Sequence, residues 1–124
     1  VQFAMRYDRW YRPIATAMGL GPRRTSVLVD GEFLRIKCGW AFRLEVPLAN
    51  IMSARASARR PLAWGVHSAG DLWVVNASRD GIVILEFRRP VTSKSVQRMS
   101  TRWGEVRSLY LSLDDPDGFV AAVA

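Results

Sequence analysis

Apolar and polar residues alternate in short runs along most of this chain. Val27-Leu28-Val29 and Phe33–Cys38 flank Asp30-Gly31, and Asp-Gly between two apolar runs predicts a hairpin. In the second run Leu34, Ile36 and Cys38 share one face, while Phe33, Arg35 and Lys37 take the other. Beyond Gly39, residues 41–46 alternate again, with Phe42, Leu44 and Val46 inward and Arg43 and Glu45 outward, until Pro47 stops the strand. Residues 50–58 predict a weaker strand of mostly small side chains, and 59–70 read as a loop. Leu72–Asn76 and Ile82–Phe87 are apolar on both faces, so something is expected to cover their outer side. Leu109, Leu111 and Leu113 alternate with Tyr110 and Ser112 in a seventh strand. Asp114-Asp-Pro-Asp-Gly then predicts a helix start. A side-chain oxygen caps free N–H groups, Pro suits the first helical position, and carboxylates favour the positive end of the dipole. Phe119, Val120 and Val123 supply that helix's apolar stripe.

Residues 1–24 differ from the rest. Phe3, Tyr7, Trp10 and Tyr11 stand among charges, and Gly19-Leu-Gly-Pro-Arg-Arg ends the stretch as a breaker. It is expected to be an N-terminal segment packed on a domain of residues 25–124. Seven strands followed by one helix predict an all-β fold with a C-terminal helix. That is the order of a pleckstrin-homology-like domain, a bent antiparallel sandwich or barrel whose open end the helix plugs. More narrowly, Gly39-Trp-Ala-Phe-Arg43, Trp64-Gly-Val-His67, Trp73-Val-Val-Asn76-Ala-Ser78 and Gly81-Ile-Val83 resemble a family of uncharacterised bacterial proteins of this type. In that family Gly often stands where Ala63 and Ala77 stand here. The resemblance implies a fold and brings no assigned activity.

Composition narrows the function classes. The 124 residues suit one domain, and 49% hydrophobic with 23% charged residues excludes a disordered chain. A single cysteine, Cys38, excludes an intrachain disulfide and a Cys-based zinc site, and a single histidine, His67, excludes a His-pair metal site. No metal and no cofactor is expected. The longest uncharged runs, 13–22 and 61–70, are ten residues each, short of the ~20 a membrane-spanning helix needs. No signal-peptide pattern opens the chain, which begins at Val1 with Met5 as a candidate natural start. Eighteen Lys and Arg against eleven Asp and Glu give a net charge of +7, with Lys37 and Lys94 the only lysines. Such a balance attracts anionic partners: nucleic acid, membrane surfaces or acidic proteins.

Little in the sequence points to catalysis. His67 is the only imidazole, and no Gly-x-Ser-x-Gly elbow accompanies it, so a non-enzyme is expected. Asp114, Asp115 and Asp117 lack the ligand spacing of a calcium loop and read as helix capping. Gly19-Leu-Gly21 is too short for a phosphate loop. In the wider pleckstrin-homology superfamily, basic residues between the first two strands hold phosphoinositides. Here that loop is the short, acidic Asp30-Gly31, so that route is rejected.

The most informative stretch is 88–107. Arg88, Arg89, Lys94, Arg98, Arg102 and Arg107 face one acid, Glu105, in a connection too long for an ordinary hairpin. Lys94, Arg98 and Arg102 fall at i, i+4, i+8, beside Val96, Met99 and Trp103 at i, i+3, i+7. A basic stripe next to Trp103 is the candidate binding surface, against the plainer reading of a solvated loop or a helix covering the two-sided strands. The leading expectation is a non-enzymatic binding or scaffolding module, in the cytoplasm or at a membrane periphery, engaging an anionic surface or a protein partner. One alternative is a small basic nucleic-acid-binding protein. Another is a small-molecule binder or enzyme with a pocket near Trp64, His67 and Trp73. Homo-oligomerisation stays open.

Overall fold

Period-two alternation becomes burial most plainly in the first sheet. The structure is a computed structural model that describes residues 1–39, 42–58, 61, 64–92 and 105–124. Strands β1 (Gln2–Phe3), β2 (Thr25–Val29), β3 (Phe33–Cys38) and β4 (Phe42–Pro47) form an antiparallel sheet in that order. Leu34, Ile36 and Cys38 of β3 and Phe42, Leu44 and Val46 of β4 are buried, while Arg35, Lys37, Arg43 and Glu45 are exposed. Burial also pushes the Cys38 thiol pKa up, as removal from water disfavours the thiolate. At the β2–β3 turn Gly31 does not adopt a left-handed φ. Instead Asp30 Oδ1 accepts the backbone N–H groups of Glu32 and Phe33, each at 2.8 Å, so the Asp side chain shapes the turn.

The second sheet holds β5 (Ile51–Ser57), β6 (Gly65–Ala69), β7 (Leu72–Asn76), β8 (Ile82–Thr92) and β9 (Glu105–Ser112), in the order β5-β8-β9-β7-β6. Strand β9 lies between β8 and β7 and runs parallel to β7, with Trp73 beside Leu109 and Val75 beside Leu111. The short β7–β8 connection brings Gly81 against the Leu113 carbonyl in a left-handed conformation (φ 68°), where no Cβ would fit. From Ile82 to Leu85 both faces of β8 are buried, as the two-sided apolar run predicts.

Inner faces of both sheets meet in one apolar cluster that includes Val27, Ile36, Leu44, Trp73, Leu85 and Leu111. Helix α2 (Pro116–Val123) adds Phe119 and Val123 to it and packs chiefly on β5. Its N-cap is Asp115, whose Oδ1 accepts Gly118 N–H at 3.1 Å.

The first eight residues touch both sheets. β1 pairs with Val27 and Leu28 of β2, Met5 bridges to Leu113, and Tyr7 bridges to Ala77. Helix α1 (Tyr11–Ala17) follows, and a 3-10 turn over Pro22–Arg24 leads into β2.

The described residues therefore contain nine strands, not the seven expected. The two additions are β1 and β6. β6 lies inside the stretch that reads as a loop, because Gly65 and Gly70 bracket it and its residues carry no alternating apolar pattern. It is a strand because β7 offers it an edge to pair with, from Gly65–Asn76 to Ala69–Leu72.

Candidate functional site

Arg88 and Arg89 are exposed near the end of β8, where its register against β9 shifts between Glu86 and Val91. The buried Asn50 side chain, just before β5, binds the Arg89 backbone. Its Nδ2 donates to the Arg89 carbonyl at 3.1 Å, and its Oδ1 accepts Arg89 N–H at 3.0 Å. Arg88 Nε donates to the Ala49 carbonyl at 3.2 Å. Arg107 on β9 is exposed and lies 3.7 Å from an Asp71 carboxylate oxygen. Lys94, Arg98, Arg102 and Trp103 lie outside the described residues, as does the helical spacing that links them.

Trp64, His67 and Trp73 do not line one pocket. His67 pairs with Val74 across β6–β7, and cross-strand partners share a face. Trp73, one residue earlier, therefore points to the opposite face. It is 1% exposed, its ring lies 5.7 Å from that of Phe42, and its Nε1 donates to the Glu105 carbonyl at 3.2 Å. His67 is exposed on the outer face, with Nε2 2.6 Å from the Trp64 carbonyl. A carbonyl only accepts, so this contact places the proton on Nε2.

Trp64 belongs to a different group, one the sequence pattern does not show. Its Nε1 donates to Asp8 Oδ2 at 2.7 Å, and Asp8 Oδ1 accepts from the Ser78 hydroxyl at 2.7 Å. Trp10 meets the Trp64 ring edge-on with centroids 4.6 Å apart, and the Arg79 guanidinium lies 5.7 Å from that ring's centre. Trp10 opens helix α1. The helix buries Tyr11 and Ala15, yet Trp10, Ile14 and Met18 remain 54%, 46% and 44% exposed. Spaced i, i+4, i+8, these three form one ridge.

The far end of α1 abuts the first sheet. Gly39, with φ 52° at the β3–β4 turn, lies so close to the Gly19 carbonyl that no Cβ would fit, and its N–H donates to the Arg24 carbonyl at 2.8 Å. Two cross-strand rows on the outer face of this hairpin differ sharply. Arg35 stands opposite Glu45, with Nε 3.3 Å from Glu45 Oε2 and Nη1 2.7 Å from Asp30 Oδ2. The Glu45 carboxylate holds the Arg35 pKa up. Backbone N–H groups of Glu32 and Phe33, then Arg35, hold the Asp30 carboxyl below its ordinary value. One row nearer the turn, Lys37 stands opposite Arg43 and Ser26 opposite Lys37. Among the described residues no carboxylate pairs with either cation. A groove of about 410 Å³ on this face is lined by Ser26, Leu28, Lys37 and Arg43, with Arg35 and Glu45 also bordering it.

A sequence signal for this row existed. Lys37 and Arg43 are equidistant from Trp40, so a turn centred there places them opposite one another.

No family model, curated protein or solved structure matches the chain. Among the described residues no group of His, Cys, Asp and Glu is arranged to hold a metal ion, and no helix is long and apolar enough to cross a membrane.

Proposed function

We propose that this chain is a non-enzymatic binding module of pleckstrin-homology-like build whose partner is anionic, received on the outer face of β2–β3–β4. Two sheets followed by a C-terminal helix support that build. The nine strands and the parallel β7–β9 pair are departures from it. The observation that carries the functional reading is Lys37 placed directly opposite Arg43 with no carboxylate partner among the described residues, one row from a neutralised Arg35–Glu45 pair. Like charges opposed across strands destabilise a sheet, and an anion bridging both cations reverses the sign of that interaction. Ser26 adds a hydroxyl donor in the same row, and the groove gives the anion a place to sit. Arg88, Arg89 and Arg107, all exposed, are the described part of a second basic stretch that suits the same class of partner.

Charge reversal compares the two regions. Binding is measured to anionic vesicles and to oligonucleotides at low and high salt. The parent is expected to bind an anionic probe with strong salt dependence. Lys37→Glu with Arg43→Glu should weaken that binding by on the order of tenfold or more, since two contacts change from attraction to repulsion. If only Arg88→Glu with Arg89→Glu, or reversal of Lys94, Arg98 and Arg102, removes it, the hairpin is not the contact surface. Preference for oligonucleotides over vesicles would select the nucleic-acid reading.

A further inference from the structure

We propose that this corner of the molecule docks on an anionic phospholipid bilayer. The Trp10–Ile14–Met18 ridge sits at the interface, and the cations around it face headgroup phosphates. The proposal rests on the anionic-partner reading above and names the partner.

The helix carries more apolar surface than the protein uses. At 100° per residue, every position from Pro13 round through Ile14 to Ala15 is apolar, an arc of about 200°. Arg9, Arg12 and Thr16 fill the remainder. Only the edge at Tyr11 and Ala15 is buried, which leaves the ridge in solvent. Trp10 is also braced where it stands. Its partner ring, Trp64, is tied to Asp8, and Asp8 to Ser78, so the indole is held in place while half exposed. An exposed, fixed indole beside aliphatic side chains suits the boundary between headgroups and acyl chains.

The size of the patch favours a bilayer over a protein. Three side chains near half exposure offer roughly 300 Å², against about 800 Å² per partner in a stable protein interface. A lipid surface takes a small apolar anchor when basic residues supply the second contribution. Residues 9–24 provide that charge, with Arg9, Arg12, Arg23 and Arg24 and no acid among them, and the neighbouring Asp8 already accepts hydrogen bonds at both oxygens. The contact of Gly39 with Gly19, and its hydrogen bond to Arg24, join the end of the ridge to the hairpin bearing Lys37 and Arg43. Ridge and hairpin thus meet at one corner of the molecule.

Flotation with vesicles of phosphatidylcholine alone, or with phosphatidylglycerol added, tests this on the full chain. Three proteins are compared: the parent, Ile14→Ser with Met18→Ser, and Lys37→Glu with Arg43→Glu. The soluble headgroup glycerophosphoglycerol and a short oligonucleotide serve as bilayer-free anions. The parent should float with phosphatidylglycerol vesicles and not with phosphatidylcholine alone. The serine pair should lose on the order of tenfold in vesicle partitioning while keeping its affinity for the soluble anions, because neither residue lines the groove. The glutamate pair should lose both. Equal flotation of the serine pair and the parent overturns the bilayer proposal and leaves the anionic-partner reading standing. A parent that binds the oligonucleotide but no vesicle also overturns the bilayer proposal, in favour of nucleic acid. A parent that binds no anion of any kind overturns both readings. Parent-like circular dichroism of the serine pair confirms that the fold is intact, and Trp10→Ala provides a second ridge variant.

Discussion

Helix α2 opens with Pro116, is capped by Asp115, carries Asp117 in its first turn, and buries Phe119 and Val123 to 0% and 5% exposure. Helix α1 has no capping side chain and no acid in its first turn, and keeps Trp10, Ile14 and Met18 about half exposed. Helices of seven or eight residues are not stable alone, so each exists because of what it touches. α2 is held by its own apolar stripe, with Phe119 edge-on to Phe3 at 5.4 Å. α1 is held by one edge and by its entry. The Asp8 carbonyl accepts N–H groups from Tyr11 and Arg12, while the Asp8 carboxylate anchors Trp64 and Ser78. One helix uses its apolar surface to fold the protein. The other retains a surplus, and that surplus is the observation most in need of a function.

The largest expected effect tests the first half of this contrast. Phe119→Ala removes a fully buried ring from the core cluster and should cost about 3–5 kcal/mol, read from the denaturant midpoint at unchanged slope. A loss below about 1 kcal/mol would mean that α2 is as peripheral as α1.

A smaller effect probes the cap. Asp115→Ala should cost about 1 kcal/mol, because Gly118 N–H loses its acceptor. Gly118→Ala would ordinarily gain up to about 1 kcal/mol in helix propensity. Here the new methyl would occupy the space of the Asp115 carboxylate, so the gain and the lost cap should nearly cancel. A clear stabilisation by Gly118→Ala, in the same melts, would show that the cap contributes little.

The contrast also explains what the sequence reveals. α2 is legible because Asp-Pro-Asp-Gly is a local signal whose chemistry acts within one turn. Leu34, Ile36 and Cys38 are legible as core because period-two alternation and burial coincide there. α1 is hidden because it is only seven residues long with no capping side chain, and the contacts that anchor its entry at Asp8 come from Trp64 and Ser78, more than fifty residues from Asp8. The same holds for β6, and for β9 beside β7, whose pairings are set by tertiary geometry rather than by neighbours in sequence. Candidate binding residues follow this rule. Arg88, Arg89 and Arg107 draw notice as a run of charge, whereas the Lys37–Arg43 row appears only once strand register is known. Trp64 and Trp73 look alike in sequence, and the alternation of β7 places Trp73 in the core.

The smallest expected effect decides the second half of the contrast. Ile14→Ser with Met18→Ser replaces two half-exposed apolar side chains on the solvent side of α1. Both side chains are apolar and nearly half exposed, so truncation leaves no buried polar group unsatisfied. Surface substitutions of this kind usually change stability by no more than about 0.5 kcal/mol each, so the double variant should melt within a few degrees of the parent. Trp10→Ala should cost somewhat more, about 0.5–1.5 kcal/mol beyond its area, because the edge-on contact with Trp64 is lost. That ordering, the serine pair near zero, Trp10→Ala modest and Phe119→Ala large, is what a surplus apolar ridge requires. If the serine pair instead cost more than about 2 kcal/mol, the ridge would be working for the fold as Phe119 does. α1 would then have no surface to spare for a bilayer, and its exposure would need another cause.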